Sequence, residues 1–244
     1  MKRKHIPGII LLFFLAAASS SFLISFKAAP ISILKIENKR TASGNNYTIF
    51  HKNDMKLDVT LKRPLKSDKS IHLCIAGPFT DLVSLTVDGL FIDNGIVHNR
   101  NKINRSLGGG IKIINGECEI FPTQKGKLLN DSLIKSITAG KGSFFQQIQL
   151  IEKGKGAKFK DVKEFQRRAI VKLKQNKTAV IESYEHITLA AFTKDLLELG
   201  VLDAIYTDMG SWDEGWYRKG SSVETIGRLR TQTARQCNWV ILKN

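Results

Sequence analysis

Turn signals divide most of this 244-residue chain into short apolar runs, and this division limits the fold more than any other feature. Residues 57–61 alternate between apolar and polar side chains, as a strand with one buried face does. Residues 111–120 predict a hairpin, because Asn115-Gly116 supplies the positive φ angles of a type I′ turn. Another hairpin is predicted over residues 169–183. Many strands and few helices predict an α+β fold, a single domain built on a largely antiparallel β-sheet.

The clearest predicted helix spans residues 188–199, where apolar side chains recur on one face. Thr188 is suited to the N-cap, and Gly200 is suited to the left-handed position past the helix end. Residues 128–137 predict a shorter helix, whereas residues 144–151 fit a helix or a strand equally well.

The amino terminus predicts export. Residues 1–27 place a basic start before an apolar run, which is the layout of a signal peptide or of an N-terminal membrane anchor. Residues 28–46 are predicted to be a linker, and residues 47–244 the globular domain. The predicted location is periplasmic or cell-surface, with membrane contact only through the first segment if it is retained.

The charge predicts an anionic partner. A net charge of +16 attracts acidic glycans, phosphodiesters, lipid head groups or nucleic acid. Export makes nucleic acid an unexpected partner, and an evenly spread solubilising surface would explain the same charge. The three cysteines lack the close pairs of a zinc or redox motif, although one disulfide is compatible with an oxidising compartment.

Residues 203–218 combine a strand with the side chains of a binding site. The predicted strand delivers Asp208 to its end, where a side chain can face a ligand. Trp212 and Trp216 offer flat apolar faces for sugar rings, and Arg218 offers a planar fork for phosphate or carboxylate. A packed loop with buried tryptophans is the structural alternative. The acidic side chains could also bind a divalent cation through oxygen ligands.

Residues 187–211 resemble the signature of the phosphodiester glycosidase family. In that family Thr-Leu opens a helix, Leu-Gly closes it, and a strand ends in Asp-Gly-Gly-x-Ser. This chain has Asp208-Met209-Gly210-Ser211 at that point. Residues 76–79 and Arg168 are similar to two further family segments. The family includes the enzyme that uncovers mannose 6-phosphate tags and bacterial exopolysaccharide biosynthesis proteins.

The resemblance implies cleavage of a sugar from a phosphodiester at the anomeric carbon. Asp208 would be the nucleophile or base, Asp213 or Glu214 a second carboxylate, and Arg168 a bidentate clamp for phosphate. The predicted substrate-binding residues are Arg218, Trp212, Trp216, Thr188, Gly210 and Ser211. No cofactor is required, a divalent cation is a secondary expectation, and the metal ligands are undetermined.

Two alternatives to an exported hydrolase follow from the same features. One is a non-catalytic exported module that binds anionic polysaccharide. The other is a membrane-tethered protein of polysaccharide assembly, which requires that the N-terminal segment be retained.

Overall fold

Antiparallel pairing connects the strands of this chain into three sheets. The structure is a computed structural model that describes residues 33–244, so the predicted signal peptide or anchor at 1–27 lies outside the described residues. Within this described range the two α-helices are α1 (Asp131–Ala139) and α2 (Leu189–Glu198). The strands in chain order are β1 (Lys35–Arg40), β2 (Asn46–His51), β3 (Lys56–Thr60), β4 (Ile71–Ile75), β5 (Phe91–Asp93), β6 (Ile96–Val97), β7 (Gly109–Ile114), β8 (Glu117–Pro122), β9 (Ser143–Gln147), β10 (Gln149–Glu152), β11 (Lys155–Gly156), β12 (Arg168–Leu173), β13 (Thr178–Ser183), β14 (Val201–Tyr206), β15 (Gly215–Lys219), β16 (Ser222–Ile226) and β17 (Trp239–Lys243).

The largest sheet has seven strands in the order β1-β2-β13-β12-β14-β10-β11. A five-stranded sheet has the order β16-β15-β4-β17-β3, and a second five-stranded sheet has the order β6-β5-β9-β7-β8. Strand β17 therefore lies between β4 and β3 in the sheet, although most of the chain separates it from both of them in sequence.

Both faces of the central strands β12 and β13 of the seven-stranded sheet are buried, which explains the continuous apolar run within each of them. Ile170, Val180 and Ile205 point into a core cluster to which all three sheets contribute. Alternate side chains, such as Ala169 and Val171, point the other way and pack with the apolar face of α2. The sheet is thus the middle layer of the fold, and its strand ends form the edges on which loops can build a site.

Helix α1 covers the outer face of the β6-β5-β9-β7-β8 sheet, where Ile134 and Ile137 pack with Phe144. Asn130 caps α1 by accepting a hydrogen bond from the backbone N–H of Leu133. In the described part of the chain, neither helix has the length and apolar character needed to span a bilayer.

The predicted α+β class, the hairpins and the main helix are confirmed. Asn115 and Gly116 have φ angles of 53° and 81° in the turn between β7 and β8. Helix α2 begins after Thr188, whose hydroxyl accepts from the N–H of Ala191 at 3.1 Å, and Gly200 adopts φ 83° beyond its end. The ambiguous segment 144–151 is two strands, β9 and β10.

The predicted linker at 28–46 is partly a strand instead. Lys35–Arg40 forms β1, which pairs antiparallel with β2 along its whole length. Its composition is polar because it is an edge strand with little burial, so it lacks the alternation that marks a half-buried strand. A cross-strand contact of 3.0 Å joins His51 Nε2 to Glu37 Oε2.

The segment after Asp208, which was predicted to carry site side chains such as Trp216 and Arg218, also contains a strand. Residues Gly215–Lys219 form β15, which pairs with β4 and β16. Alternation explains this strand, because Trp216 packs into a core cluster with Cys74, whereas Tyr217 turns to the other face and meets Phe50 at 5.3 Å between ring centroids.

The cysteines form no disulfide. Cys74, Cys118 and Cys237 are all free thiols, and the first two are buried.

Thr188→Ala should lower the free energy of unfolding by about 1 kcal/mol, because it removes the N-cap of α2. Chemical denaturation measures the change. Thr188→Ser keeps the hydroxyl and should restore most of the stability. An alanine variant as stable as the parent would contradict the capping role.

Candidate active site

Asp208 lies two residues beyond β14, at the end of the strand as predicted, and is partly buried. Its backbone N–H donates to the carbonyl of Gly77 at 2.7 Å. Asn238, which is 1% exposed, fixes that neighbouring loop: its Oδ1 accepts from Gly77 N and its Nδ2 donates to Pro78 O, both at 3.1 Å. The loop after β4 is therefore held against Asp208 by a side chain that immediately precedes β17.

The carboxyl of Asp208 holds its proton unusually well. Burial, and after it the negative charge of Asp213, raise the pKa of Asp208 to about 7. Hydrogen bonds from the backbone of Met209 and Thr80, and the charge of Arg168, oppose this rise. A carboxyl whose pKa is close to neutrality can accept and release a proton near pH 7, as a general acid or base must.

Arg168 is completely buried and is bound by two carboxylates. Its Nη1 and Nη2 donate to Asp213 Oδ1 and Oδ2, each at 2.9 Å, and its Nε donates to Glu182 Oε2 at 2.6 Å. These contacts join β12 and β13 of the seven-stranded sheet to the loop before β15. We call Arg168, Asp213 and Glu182 the buried ionic cluster.

Two glycines allow the chain to pass close to the buried ionic cluster. A Cβ at Gly227, which has φ 82°, would lie 2.4 Å from Asp213 Oδ2. A Cβ at Gly215 would lie 2.7 Å from Ile226 and 3.2 Å from Arg168 Nη2. Any side chain at either position would push against the buried charges or their cover.

A cavity of about 420 Å³ lies at the edge where β12 begins and β13 and β14 end; Asp208 itself is not among its lining residues. We call it the edge cavity. The residues that follow Asp208 contribute Met209, Gly210 and Ser211 to its wall. Its aromatic walls are Phe79, Phe165 and Tyr206, and its polar walls are Gln166, Arg167, His186, Asp213 and Arg228.

The two arginines of the edge cavity differ in availability. Arg167 is 5% exposed, and its Nε donates to the carbonyl of Ile187 at 2.9 Å while Nη2 contacts Asp161 Oδ2 at 3.1 Å. Arg228 is exposed, and its guanidinium lies over the ring of Tyr184, 4.0 Å from the centroid. Arg228 forms no ion pair among the described residues. It is therefore the cation best placed to meet an anion in the cavity.

Several predicted site residues lie elsewhere than expected. The guanidinium of Arg168 is fully bound by Asp213 and Glu182 within the buried ionic cluster, so it cannot clamp a phosphate in this arrangement. Asp213 is one of these two partners of Arg168. Glu214 pairs with Arg63 at 2.7 Å. Arg218 donates to the backbone carbonyls of residues 66, 68 and 71 and does not line the edge cavity.

The tryptophans also differ from the prediction. Trp216 is 1% exposed in the core, so its ring faces cannot stack on a sugar. Trp212 is partly exposed, but its Nε1 donates to Gln232 at 3.1 Å and its ring meets Arg235, outside the edge cavity. Thr188 caps α2, and its neighbour Leu189 lines the cavity.

Sequence reasoning missed Gln166, Arg167, His186 and Arg228. The first three flank the open end of the predicted 169–183 hairpin. In an antiparallel sheet that end meets the end of the next paired strand, here β14 with Asp208 beyond it. Arg228 follows a strand that was not predicted, so no signal marked it.

The expected divalent cation has no preformed set of ligands. In residues 33–244 no group of three or more His, Cys, Asp or Glu side chains is arranged to hold a metal ion.

Known proteins resemble this chain in fold. No protein family matches the sequence, and no curated protein sequence does. The catalytic domain of zebrafish N-acetylglucosamine-1-phosphodiester alpha-N-acetylglucosaminidase, auto-inhibited by its pro-peptide, superposes with a TM-score of 0.58 at 14% identity, covering 89% of this chain and 85% of that one. A hypothetical protein from Synechocystis gives a TM-score of 0.58 at 11% identity over 86% of this chain and 62% of the other. The predicted resemblance is thus supported at the level of the fold.

Gly227→Ala should destabilise the protein by about 3 kcal/mol or more, because the new methyl group must displace Asp213 from Arg168 in the interior. Gly220→Ala is the matched control: φ there is also positive, at 60°, but no atom lies within 4 Å of the added carbon. The control should cost only about 1 kcal/mol of backbone strain. Equal losses in urea unfolding would contradict the role assigned to the buried ionic cluster.

Asp208→Asn should change how stability depends on pH. The folded parent keeps a proton on Asp208 up to about pH 7, whereas the unfolded chain releases it near about pH 4. The parent therefore loses stability as pH rises through that window, and the asparagine variant does not.

Between about pH 4 and about pH 8 the variant should gain up to about 4 kcal/mol relative to the parent, as measured by urea unfolding across pH. Asp54→Asn, at an exposed position, controls for the loss of one negative charge. If the free energies of unfolding of Asp208→Asn and the parent differ by the same amount at every pH, burial does not raise the pKa of Asp208.

Proposed function

We propose that this protein is an exported hydrolase that cleaves a sugar from a glycosyl phosphodiester, with Asp208 as the general base. The observation that carries the proposal is the carboxyl of Asp208, with a pKa near 7, immediately before three residues that line a cavity with an exposed arginine. The fold similarity to a phosphodiester glycosidase supports the same reaction class.

The phosphate would bind at the Arg228 side of the edge cavity. A guanidinium can donate two parallel hydrogen bonds to phosphate oxygens, and stacking on Tyr184 orients its plane. His186, also exposed on the cavity wall, is a second donor. Arg168 contributes indirectly, since it holds Asp213 in place and lowers the pKa of Asp208.

The sugar would bind against the apolar side of the edge cavity. Phe79 and Tyr206 lie 5.9 Å apart between ring centroids, and Phe165 also lines the cavity. These rings take the role first assigned to Trp212 and Trp216. A volume of about 420 Å³ is sufficient for one sugar residue and its phosphate.

The chemistry requires one carboxylate and one water molecule. Water oxygen forms a bond to the anomeric carbon while the bond from that carbon to the phosphate oxygen breaks. The bonding pair leaves with the phosphate monoester, whose second pKa is about 6, so the leaving group needs little protonation. Asp208 takes the proton of the water and later releases it to solvent. A second carboxylate, as Asp213 or Glu214 was expected to be, is not needed.

Export and location stand as proposals on the sequence of residues 1–27. Removal of that segment would give a free periplasmic or cell-surface enzyme. Retention would give the tethered form that a role in polysaccharide assembly requires.

Purified protein should release free sugar and a phosphomonoester from an N-acetylglucosamine 1-phosphodiester, with kcat/KM rising as pH increases through about 7 and Asp208 loses its proton. Asp208→Asn should lower kcat by about 10²-fold or more, because the base is lost. Arg228→Gln should raise KM by about tenfold, since a charged hydrogen bond to the substrate disappears.

Arg235→Gln is the matched control for Arg228, because Arg235 also lies over an aromatic ring but does not line the edge cavity. It should leave both constants within about twofold. Undiminished turnover by Asp208→Asn would remove that residue from the mechanism. Saturable polysaccharide binding with no turnover of any glycosyl phosphodiester would favour the non-catalytic binding module.

A further inference from the structure

A second cavity, of about 600 Å³, is lined mainly by cationic side chains and shares no residue with the edge cavity. Arg100 and Arg105 come from the loop before β7, and Lys125 and Lys127 come from the loop after β8. We call it the cationic cavity.

Carboxylates are absent from both sequence segments that form the cationic cavity. No Asp or Glu occurs between Asp93 and Glu117, and none occurs between Glu119 and Asp131. Arg100 pairs with Asp131 at 2.6 Å. Within residues 33–244, Arg105, Lys125 and Lys127 form no ion pair and are exposed, so three positive charges face one hollow without compensation.

Buried polar side chains hold the first loop in place. Gln146 is fully buried, and its Nε2 donates to the carbonyl of Asn104 at 2.8 Å while its Oε1 accepts from the N–H of Asn104 at 3.2 Å. Thr123, also fully buried, donates its hydroxyl to the carbonyl of Leu107 at 3.1 Å. The loop is thus anchored to β9 and to the end of β8.

The two loops also pack directly on each other. A Cβ at Gly126 would lie 2.5 Å from Cγ2 of Ile103, so only glycine permits this approach. Gln124, Lys125 and Gly126 all have positive φ, at 51°, 55° and 85°. Two consecutive non-glycine residues in the left-handed region are uncommon. The conformation of the turn that presents Lys125 and Lys127 is therefore fixed by its packing on Ile103 and by its unusual backbone angles.

We propose that the cationic cavity binds the phosphate groups of an extended polymer of polyol units joined by phosphodiester bonds. Three uncompensated cations in one preformed hollow match the closely spaced negative charges of such a polymer. In the described part of the chain no aromatic side chain lines the cavity, so it lacks the aromatic platform on which successive nucleobases stack in single-strand binding proteins. The site recognises clustered negative charge, and its binding does not depend on hydrolysis at the edge cavity.

The test compares two triple variants of the full-length protein that each lose three positive charges. The cavity variant loses the three uncompensated positive charges of the cationic cavity through the substitutions Arg105→Gln, Lys125→Gln and Lys127→Gln. Lys62→Gln, Lys66→Gln and Lys69→Gln together are the control, because these exposed lysines lie on another loop. Isothermal titration calorimetry with poly(glycerol phosphate), inorganic phosphate and a single-stranded oligonucleotide measures affinity.

Poly(glycerol phosphate) should bind the parent more tightly than inorganic phosphate does at equal phosphate concentration. Its affinity should fall about tenfold between about 50 and about 200 mM salt. The cavity variant should lose at least about tenfold in affinity, and the control less than about twofold. Backbone amide signals of Ile103 and Gly126 should shift on titration of the parent, which confirms the location in a folded protein.

Three results would overturn the proposal. Equal losses in the two triple variants would show that net charge alone attracts the polymer. Tighter binding of the oligonucleotide would assign the surface to nucleic acid. Unchanged amide signals at Ile103 and Gly126 in the presence of bound polymer would place the site elsewhere.

Discussion

The salt bridges of Arg168 with Glu182 and Asp213 are the interaction on which the rest of the structure depends. A buried guanidinium with one partner removed leaves an uncompensated charge in the interior, which costs about 3–5 kcal/mol. The pairing joins the middle layer of the fold to a loop of a second sheet, so the relative position of the two sheets is fixed by charge as well as by apolar contact. Burial raises the pKa of Glu182, and the guanidinium opposes that rise.

The same cluster determines the electrostatics beside Asp208. Asp213 and Glu182 both bind the guanidinium of Arg168 and balance its positive charge. The guanidinium therefore offsets little of the rise in the pKa of Asp208. The proton affinity of Asp208 therefore reflects its burial and the proximity of Asp213 more than any cation. A structural ion pair thus sets the chemistry of a neighbouring group that it does not touch through a salt bridge.

Local patterns were sufficient to predict the elements that carry Asp208. The cap at Thr188, the apolar face of α2 and the left-handed Gly200 depend on neighbours within a few positions, so the sequence displays them directly. The position of Asp208 at a strand end follows from the same kind of local pattern.

Pairings over long sequence distances could not be predicted. Arg168 and Asp213 are 45 positions apart, and only the strand order shows that they meet. An isolated arginine before a strand is equally suited to bind phosphate or to be buried with carboxylates. Strand β1 escaped prediction because an edge strand has no apolar face, and Trp216 was misplaced because a tryptophan near acidic residues resembles a surface residue.

The location of β17 between β4 and β3 affects how the molecule can mature. Until β17 has paired with both neighbours, β3 and β4 have no strand between them, and Asn238 cannot fix the Gly77 loop. A folding chain can close the local hairpins early, but the loop that holds the backbone of Asp208 depends on this pairing across most of the chain. The surroundings of Asp208 are therefore among the late parts of the structure to form.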